Sequence, residues 1–449
     1  MGNGATLRTG SLRPENQSCG KTNTAVSKKC LHILIVTTAF PPLNSIASHR
    51  PYSWAKVWKD EGHTVHVLTL KKYSYEGPAD LTPDLTDIHV HEIPYLGSSG
   101  APQNRGSALA PQWEWLKRVT RRIRLALGMF SDVRVLAYPS MVREGVRIAR
   151  EHDIDLIVAT TPPELVLLVA RTIASKLNIP WAADFRDAWF PDLRLYHTKL
   201  VGGIAGPITK WLVRSAMTCV TVSQGLRKRL SSYLGREVFL AYNGYFMGIH
   251  GESSARPWND QKLHIAYTGR VYPGKQNPEP LFRVLASLRR TQPDVADRLS
   301  VDFYGLDGPW LQPMIKRYGV EDCVHAHDFV PYQESINVQR AADVLLFLDW
   351  VDGRGDGMLT GKLLEYMGSG RPILALGSRK ETEAARLITD TGCGVTMTDE
   401  EQLFAYLTRV LVTGRPAETC SPLREEFSRE RQARALLQHL RSRLCLHFL

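Results

Sequence analysis

The chain has 449 residues, a length that divides into two or three domains. Its composition, 43% hydrophobic and 22% charged, supplies large cores and excludes a disordered, collagen-like or disulfide-scaffold chain. The formal net charge of +11 is concentrated, with +4 in residues 1–30 and +6 in residues 111–150. The remainder is nearly neutral, which argues against a nucleic-acid partner, since a binding domain spreads its basic residues over a folded face.

No run reaches the ~18 apolar residues that span a bilayer. Residues 1–29 form a basic tail, expected to be disordered, without the apolar core of a secretory signal. Seven cysteines (19, 30, 219, 323, 393, 420 and 445) make no C-x-x-C and read as thiols in a reducing compartment.

Apolar β-branched runs then alternate with helical patterns, as in parallel α/β sheets. The first series opens with LHILIVTT (31–38), a helix at Tyr52–Glu61 stopped by Gly62, and a strand at Thr64–Leu70. It continues through DLIVAT (155–160), IPWAADF (179–185) and MTCVTVS (217–223). Residues 247–262 are polar and rich in Gly and Pro, and read as a linker. A second series follows: LHIAYTG (263–269), LSVDFYG (299–305), CVHAHDF (323–329), DVLLFL (343–348), PILALG (372–377) and GVTM (394–397). The expected fold is α/β, with two doubly wound, Rossmann-like domains at 30–246 and 263–420 and a closing basic helix at 421–449. Ligands in such sheets sit beyond the carboxyl ends of the strands, so two facing domains make one interdomain cleft.

Two segments of the second series suit an anionic ligand. In GRVYPGK (269–275), Arg270 and Lys275 lie five apart on a loop after a strand. They read either as a pair converging on a diphosphate or as two solvated loop cations. In GDGMLTGKLLEYMGSGRPILALG (355–377), Thr360 is a candidate N-cap for a helix from Gly361 to about Gly368. Its N–H groups, its dipole and Lys362 make an anion site. Glu365, one turn on, suits two vicinal hydroxyls. The plainer reading is a capped helix with a solvated Glu. In the first series, Asp184, Arg186 and Asp187 of ADFRDAW (183–189) fall at a strand's carboxyl end. They read as groups that orient and help deprotonate an acceptor hydroxyl, or as a structural Arg–Asp pair. His49, His63, His66, His325 and His327 lack metal-ligand spacing, so neither a metal nor another cofactor is expected.

Taken together, G-R-x4-K and G-K-L-L-E-Y-M-x-x-G-R-P-I-L resemble the donor-binding half of family 4 glycosyltransferases, which have the GT-B fold. TTAFPP (37–42), EGHTVHVLT (61–69), PWAADFRDAW (180–189), VSQGLRKRL (222–230), YNGY (242–245) and FSRERQARALL (427–437) follow in the family's order. The nearest resemblance is to bacterial members that build capsule, O-antigen and exopolysaccharide. It implies a retaining, hexosyltransferase-type enzyme that moves a sugar from a nucleotide-sugar to a lipid-linked glycan or similar acceptor. A GT-B nucleotide-sugar epimerase and a non-catalytic nucleotide-sugar-binding protein are the alternatives. The resemblance assigns the diphosphate to Arg270 and Lys275 and the ribose to Glu365. It gives the β-phosphate and sugar to the turn Thr360–Lys362, with Gly361, and the base to the main chain of Phe329 and Val330. His49 and Arg50 fall on the acceptor side. The sequence departs from the pattern where E-x7-E would put its first Glu at Gly357, beside Asp352 and Asp356. It departs again at Ser45-Ile46-Ala47, where a glycine pair is usual, and at Arg186-Asp187, where many members have His-Asp.

In PQWEWLKRVTRRIRLALGMF (111–130), Leu116, Val119, Ile123, Leu127 and Phe130 share one helical face among five basic residues. This describes a helix lying in an anionic membrane interface, or one packed on its own domain with a solvated basic face. The favoured expectation is a cytoplasmic enzyme held peripherally at the inner face of the cell membrane.

Overall fold

The computed structural model describes residues 30–73, 79–95, 133–187, 199–247, 262–305, 308–350, 359–379, 381–414 and 422–447. The tail 1–29, the basic stretch 111–130, most of the linker, and Asp352, Asp356 and Gly357 lie outside them.

The first sheet joins β1 (His32–Val36), β2 (Thr64–Leu70), β3 (Ile88–Ile93), β4 (Leu156–Thr161), β5 (Trp181–Phe185), β6 (Thr218–Thr221) and β7 (Val238–Leu240). They are parallel, in the order β3-β2-β1-β4-β5-β6-β7. The reversal of order between β1 and β4 leaves a crevice at their carboxyl ends. β4 and β5 are buried throughout, which is why they read as mainly apolar runs, Asp184 being the one charge among them. The helices of this half are α1 (Ile46–Asp60), α2 (Tyr138–Glu151), α3 (Leu165–Leu177), α4 (Lys199–Val213) and α5 (Gln224–Leu234). α1 starts six residues before the expected Tyr52, because Ser45 caps it by accepting from the Ser48 N–H and Pro51 is accommodated inside it.

The second sheet joins β8 (Leu263–Thr268), β9 (Leu299–Tyr304), β10 (Val324–His327), β11 (Val344–Leu348), β12 (Ile373–Leu376) and β13 (Gly394–Met397). They too are parallel, ordered β10-β9-β8-β11-β12-β13. Its helices are α6 (Glu279–Thr291), the short α7 (Pro293–Ala296), α8 (Gly308–Tyr318), α9 (Tyr332–Ala341), α10 (Gly361–Ser369), α11 (Glu383–Asp390) and α12 (Glu400–Thr413).

The last helix, α13 (Arg429–His447), belongs spatially to the first half. Its Leu436, Leu437, Leu440 and Leu444 share a core with Ile33, Trp54 and Trp58. The Trp58 indole N–H donates to Ala433 O at 2.9 Å. The chain thus crosses between the sheets twice, and the crossings touch. Tyr245 N–H donates to Phe427 O at 3.2 Å and Arg429 N–H to Tyr245 O at 2.7 Å. Gly244, at φ +70°, allows this approach, since a Cβ there would stand 2.8 Å from both Arg429 N and Phe427 O.

His66 on β2 is 1% exposed and stacks between His89 and His152, with ring centroids at 4.7 and 4.2 Å. Burial first, then the neighbouring imidazoles, push its pKa from 6.5 down to about 3. The unfolded chain therefore takes up a proton below pH 6.5 that the folded chain refuses, so stability present above that pH is lost as pH falls toward 3. At pH 5 the loss is on the order of 2 kcal/mol. Denaturant unfolding at pH 7 and pH 5 should show this drop in the parent, and a smaller one in His66→Phe.

Candidate functional site

A cavity of about 570 Å³ lies between the two halves. Its first-half wall comes from the start of α1 (Asn44, Ser45, Ile46 and His49), and the floor from Gly244–Phe246 and Arg429. The facing wall comes from the second half: Gly269, Arg270 and Tyr272 after β8, Tyr304 and Gly305 after β9, Phe329–Tyr332 after β10, and Gly361 and Glu365 on α10. Each second-half group stands at or beyond a strand's carboxyl end, where open α/β sheets receive ligands.

α10 is fixed to β8 by Tyr366, whose hydroxyl accepts from the Thr268 N–H at 2.8 Å. Glu365 is thereby turned into the cavity. It accepts from Gln339 Nε2 at 3.3 Å and from the Tyr332 hydroxyl, both on α9. Burial raises its pKa, against those hydrogen bonds and the charges of Arg429 and Lys362. A carboxylate already steadied by two donors retains lone pairs for hydroxyls of a ligand. Gly269, at φ +98°, turns the loop so that Arg270 reaches the cavity, and a Cβ there would press on Lys362 at 3.3 Å. The exposed Arg270 guanidinium has no ion pair among the described residues.

The expected donor residues divide. Arg270, Phe329, Val330, Gly361 and Glu365 line the cavity. Lys275 does not: its ammonium lies 4.6 Å from the Trp350 ring centroid, and the Tyr272 ring stacks on the same indole at 5.9 Å. Thr360 occupies the N-cap position of α10, but its side chain makes no capping bond and its Oγ1 has no partner among the described residues. Lys362 stands over the Tyr267 ring at 3.7 Å and donates to Arg270 O at 3.3 Å, bracing the loop.

On the first-half side the structure corrects the expectation for Asp184 and Arg50. Asp184 is 0% exposed and takes both ends of the Arg50 guanidinium, Nε at 2.9 Å and Nη2 at 2.7 Å. Thr160 Oγ1 donates to the same carboxylate at 2.6 Å. Arg50 also donates to Ala241 O at 2.9 Å and Tyr242 O at 3.2 Å. Neither group is open to an acceptor. Arg186 is likewise spent on backbone, donating to Thr161 O at 2.5 Å and Pro162 O at 3.0 Å, and burial lowers its pKa to about 10. The Arg–Asp pairing is therefore real, but it links residues 134 positions apart rather than neighbours in one loop. Asp187 is exposed at the end of β5 and does not line the cavity.

His49 does line it, 5% exposed between the rings of Tyr332 (5.1 Å) and Phe246 (5.7 Å). Burial, with the charge of Arg429, pushes its pKa to about 3, so it is a neutral imidazole at ordinary pH. Sequence reading missed Arg429, Tyr332 and Gln339, which reach Glu365 from separate segments. Among the described residues no group of His, Cys, Asp and Glu is arranged to hold a metal ion.

Residues 48–238 match the glycosyl transferase 4-like domain family. The chain carries a glycosyl transferase 4-like domain. Anabaena HepE, solved in complex with UDP, superimposes with a TM-score of 0.60 at 16% identity over 92% of this chain and 100% of that one. Sucrose-phosphate synthase from Thermosynechococcus elongatus gives 0.57 at 12% identity, over 92% and 98%. The lipopolysaccharide outer core galactosyltransferase WaaB, in its apo form, gives 0.55 at 14% identity, over 92% and 99%. At these identities the likeness is one of fold, and the fold is GT-B. No curated protein sequence matches the chain.

Breaking a buried ion pair from one side leaves the other charge uncompensated, at a cost of about 3–5 kcal/mol. Asp184→Asn should therefore lower unfolding free energy by about that amount. A variant that unfolds like the parent in denaturant and loses only turnover would return Asp184 to the chemistry.

Proposed function

We propose that this glycosyl transferase 4-like protein moves a sugar from a nucleotide-sugar to a hydroxyl of a glycan acceptor carried on a lipid, in the assembly of a cell-surface polysaccharide. The observation that carries the reading is an interdomain cavity that presents Arg270, the first turn of α10 and Glu365 together. A forked cation and free helix N–H groups suit a diphosphate, and a carboxylate beside them suits the ribose diol. The main chain at Phe329–Val330 then receives the base, and the sugar points toward α1.

The acceptor hydroxyl attacks the anomeric carbon on the face that the diphosphate leaves. Its proton passes to a departing phosphate oxygen, the nucleoside diphosphate is released, and the anomeric configuration is retained. In this reading no protein nucleophile is needed. His49, neutral and lining the cavity, is a hydrogen-bonding group rather than a charge. No resident metal enters the reading.

A thermal-shift screen over nucleotide-sugars tests the donor class, since a ligand at 100 times its Kd stabilises the fold by about 2.7 kcal/mol. Glu365→Gln should weaken the best ligand by about 1.5–3 kcal/mol, the worth of a hydrogen bond to a charged group. The apolar change Leu364→Met next door should leave the affinity near the parent's. If no nucleotide-sugar raises the melting temperature, or if the two variants behave alike, the donor pocket is misplaced.

The lipid side of the proposal rests on the sequence of residues 111–130, whose basic residues each contribute about 1 kcal/mol near an anionic surface. No helix among the described residues is long and apolar enough to cross a membrane, so attachment is read as peripheral. Sedimentation with anionic vesicles should be strong at low salt and weaken as salt rises. Replacing Arg118, Arg121, Arg122 and Arg124 by Gln should release the protein while preserving nucleotide-sugar binding. Unchanged sedimentation would mean that the stretch packs on its own domain.

A further inference from the structure

Arg429 is the first residue of α13 and is 5% exposed, yet part of its side chain lacks a hydrogen bond among the described residues. Its Nε and Nη1 are buried without a hydrogen-bond partner among the described residues. The guanidinium lies over the Phe246 ring at 4.8 Å and lines the interdomain cavity. The carboxylates of Glu365 and Glu430 attract it electrostatically, but their hydrogen bonds go elsewhere. Glu365 accepts from Tyr332 and Gln339, and Glu430 accepts from the Met247 N–H. A cation is also the wrong charge for the positive end of a helix. A buried guanidinium with two N–H-bearing nitrogens lacking a hydrogen-bond acceptor, set against the helix dipole, is costly, and such groups are retained where a ligand completes them.

The loop cation Lys275, meanwhile, stands over Trp350 and does not line the cavity. The two guanidiniums that line the cavity are Arg270, from the second half, and Arg429, at the start of the closing helix. We propose that Arg429, rather than Lys275, is the second cation of the oxyanion site, its guanidinium turning into the cavity to donate to phosphate oxygens of the nucleoside diphosphate. The assignment rests on the donor reading above. It makes the closing helix, which packs on the first half, a direct contributor to donor binding.

Isothermal titration calorimetry on the full chain decides it, with UDP, GDP and ADP, their nucleosides, and pyrophosphate as probes. Arg429→Gln should weaken the best-bound diphosphate at least tenfold and leave its nucleoside within twofold. Lys275→Gln should cost less, and Arg429→Lys should fall between Arg429→Gln and the parent. Equal losses for nucleoside and diphosphate would mean that Arg429 only supports Glu365, and would overturn the proposal. So would an unchanged diphosphate affinity in Arg429→Gln. If no nucleotide binds the parent, the donor reading fails on its own, and pyrophosphate decides the anion site: weaker binding to Arg429→Gln supports it and equal binding overturns it. Should Arg429→Gln not fold, Arg429→Lys carries the test. It keeps the charge but loses the fork, so the diphosphate must weaken at least threefold with the nucleoside unchanged, and no change overturns the proposal.

Discussion

The geometry of the cleft depends on one buried ion pair. Arg50 on α1 and Asp184 on β5 are 1% and 0% exposed and meet through two hydrogen bonds. The same guanidinium holds the carbonyls of Ala241 and Tyr242, where the chain leaves the first sheet, and lies 4.7 Å from the Trp54 ring centroid. One side chain thus ties a helix, a strand end and the start of the crossing into one block. A charge couple so buried adds little net stability over an apolar replacement, but it tolerates few alternative arrangements. The start of α1, with Ser45, Ile46 and His49, is therefore held at a set height against the second half. There Gly361 meets Ile46 so closely that a Cβ would stand 1.6 Å from Ile46 Cδ1.

The charges around the cavity are unevenly arranged. Arg270, Arg429 and the amino end of α10 face inward, against the single carboxylate of Glu365. His49, which might have added a further charge, is kept neutral by burial. The polarity favours an anion that also carries hydroxyls. The aromatic rings of Phe246, Tyr332 and Phe329 supply flat apolar surface beside it.

The strands were legible because most are buried on both faces and read as short β-branched apolar runs. Thr64–Leu70 and Gly394–Met397 match their expected limits. β3 was not legible, since IHVHEI at the sheet edge is half polar and its central residues are partly exposed. β7 has three residues, too few for any pattern. Of the second-half groups that line the cavity, Arg270, Gly361 and Glu365 were readable because they lie on two short segments, 269–275 and 360–365, where spacing carries information. Arg50–Asp184 and Glu365–Arg429 were not, because only the fold unites residues so distant in the chain. One local signal for Arg429 did exist: a cation in the first turn of a long helix, against its dipole.

The paired crossing has a mechanical consequence. Tyr245 and Ser428 form a parallel bridge, so the two connections act as a narrow ribbon rather than as two independent cords. A ribbon flexes readily out of its own plane and is stiff within it. A hinge placed at this bridge would bend across the ribbon more easily than it would slide along it. Arg429 sits at the edge of that ribbon and lines the cavity, so bending at the bridge would carry its guanidinium with it.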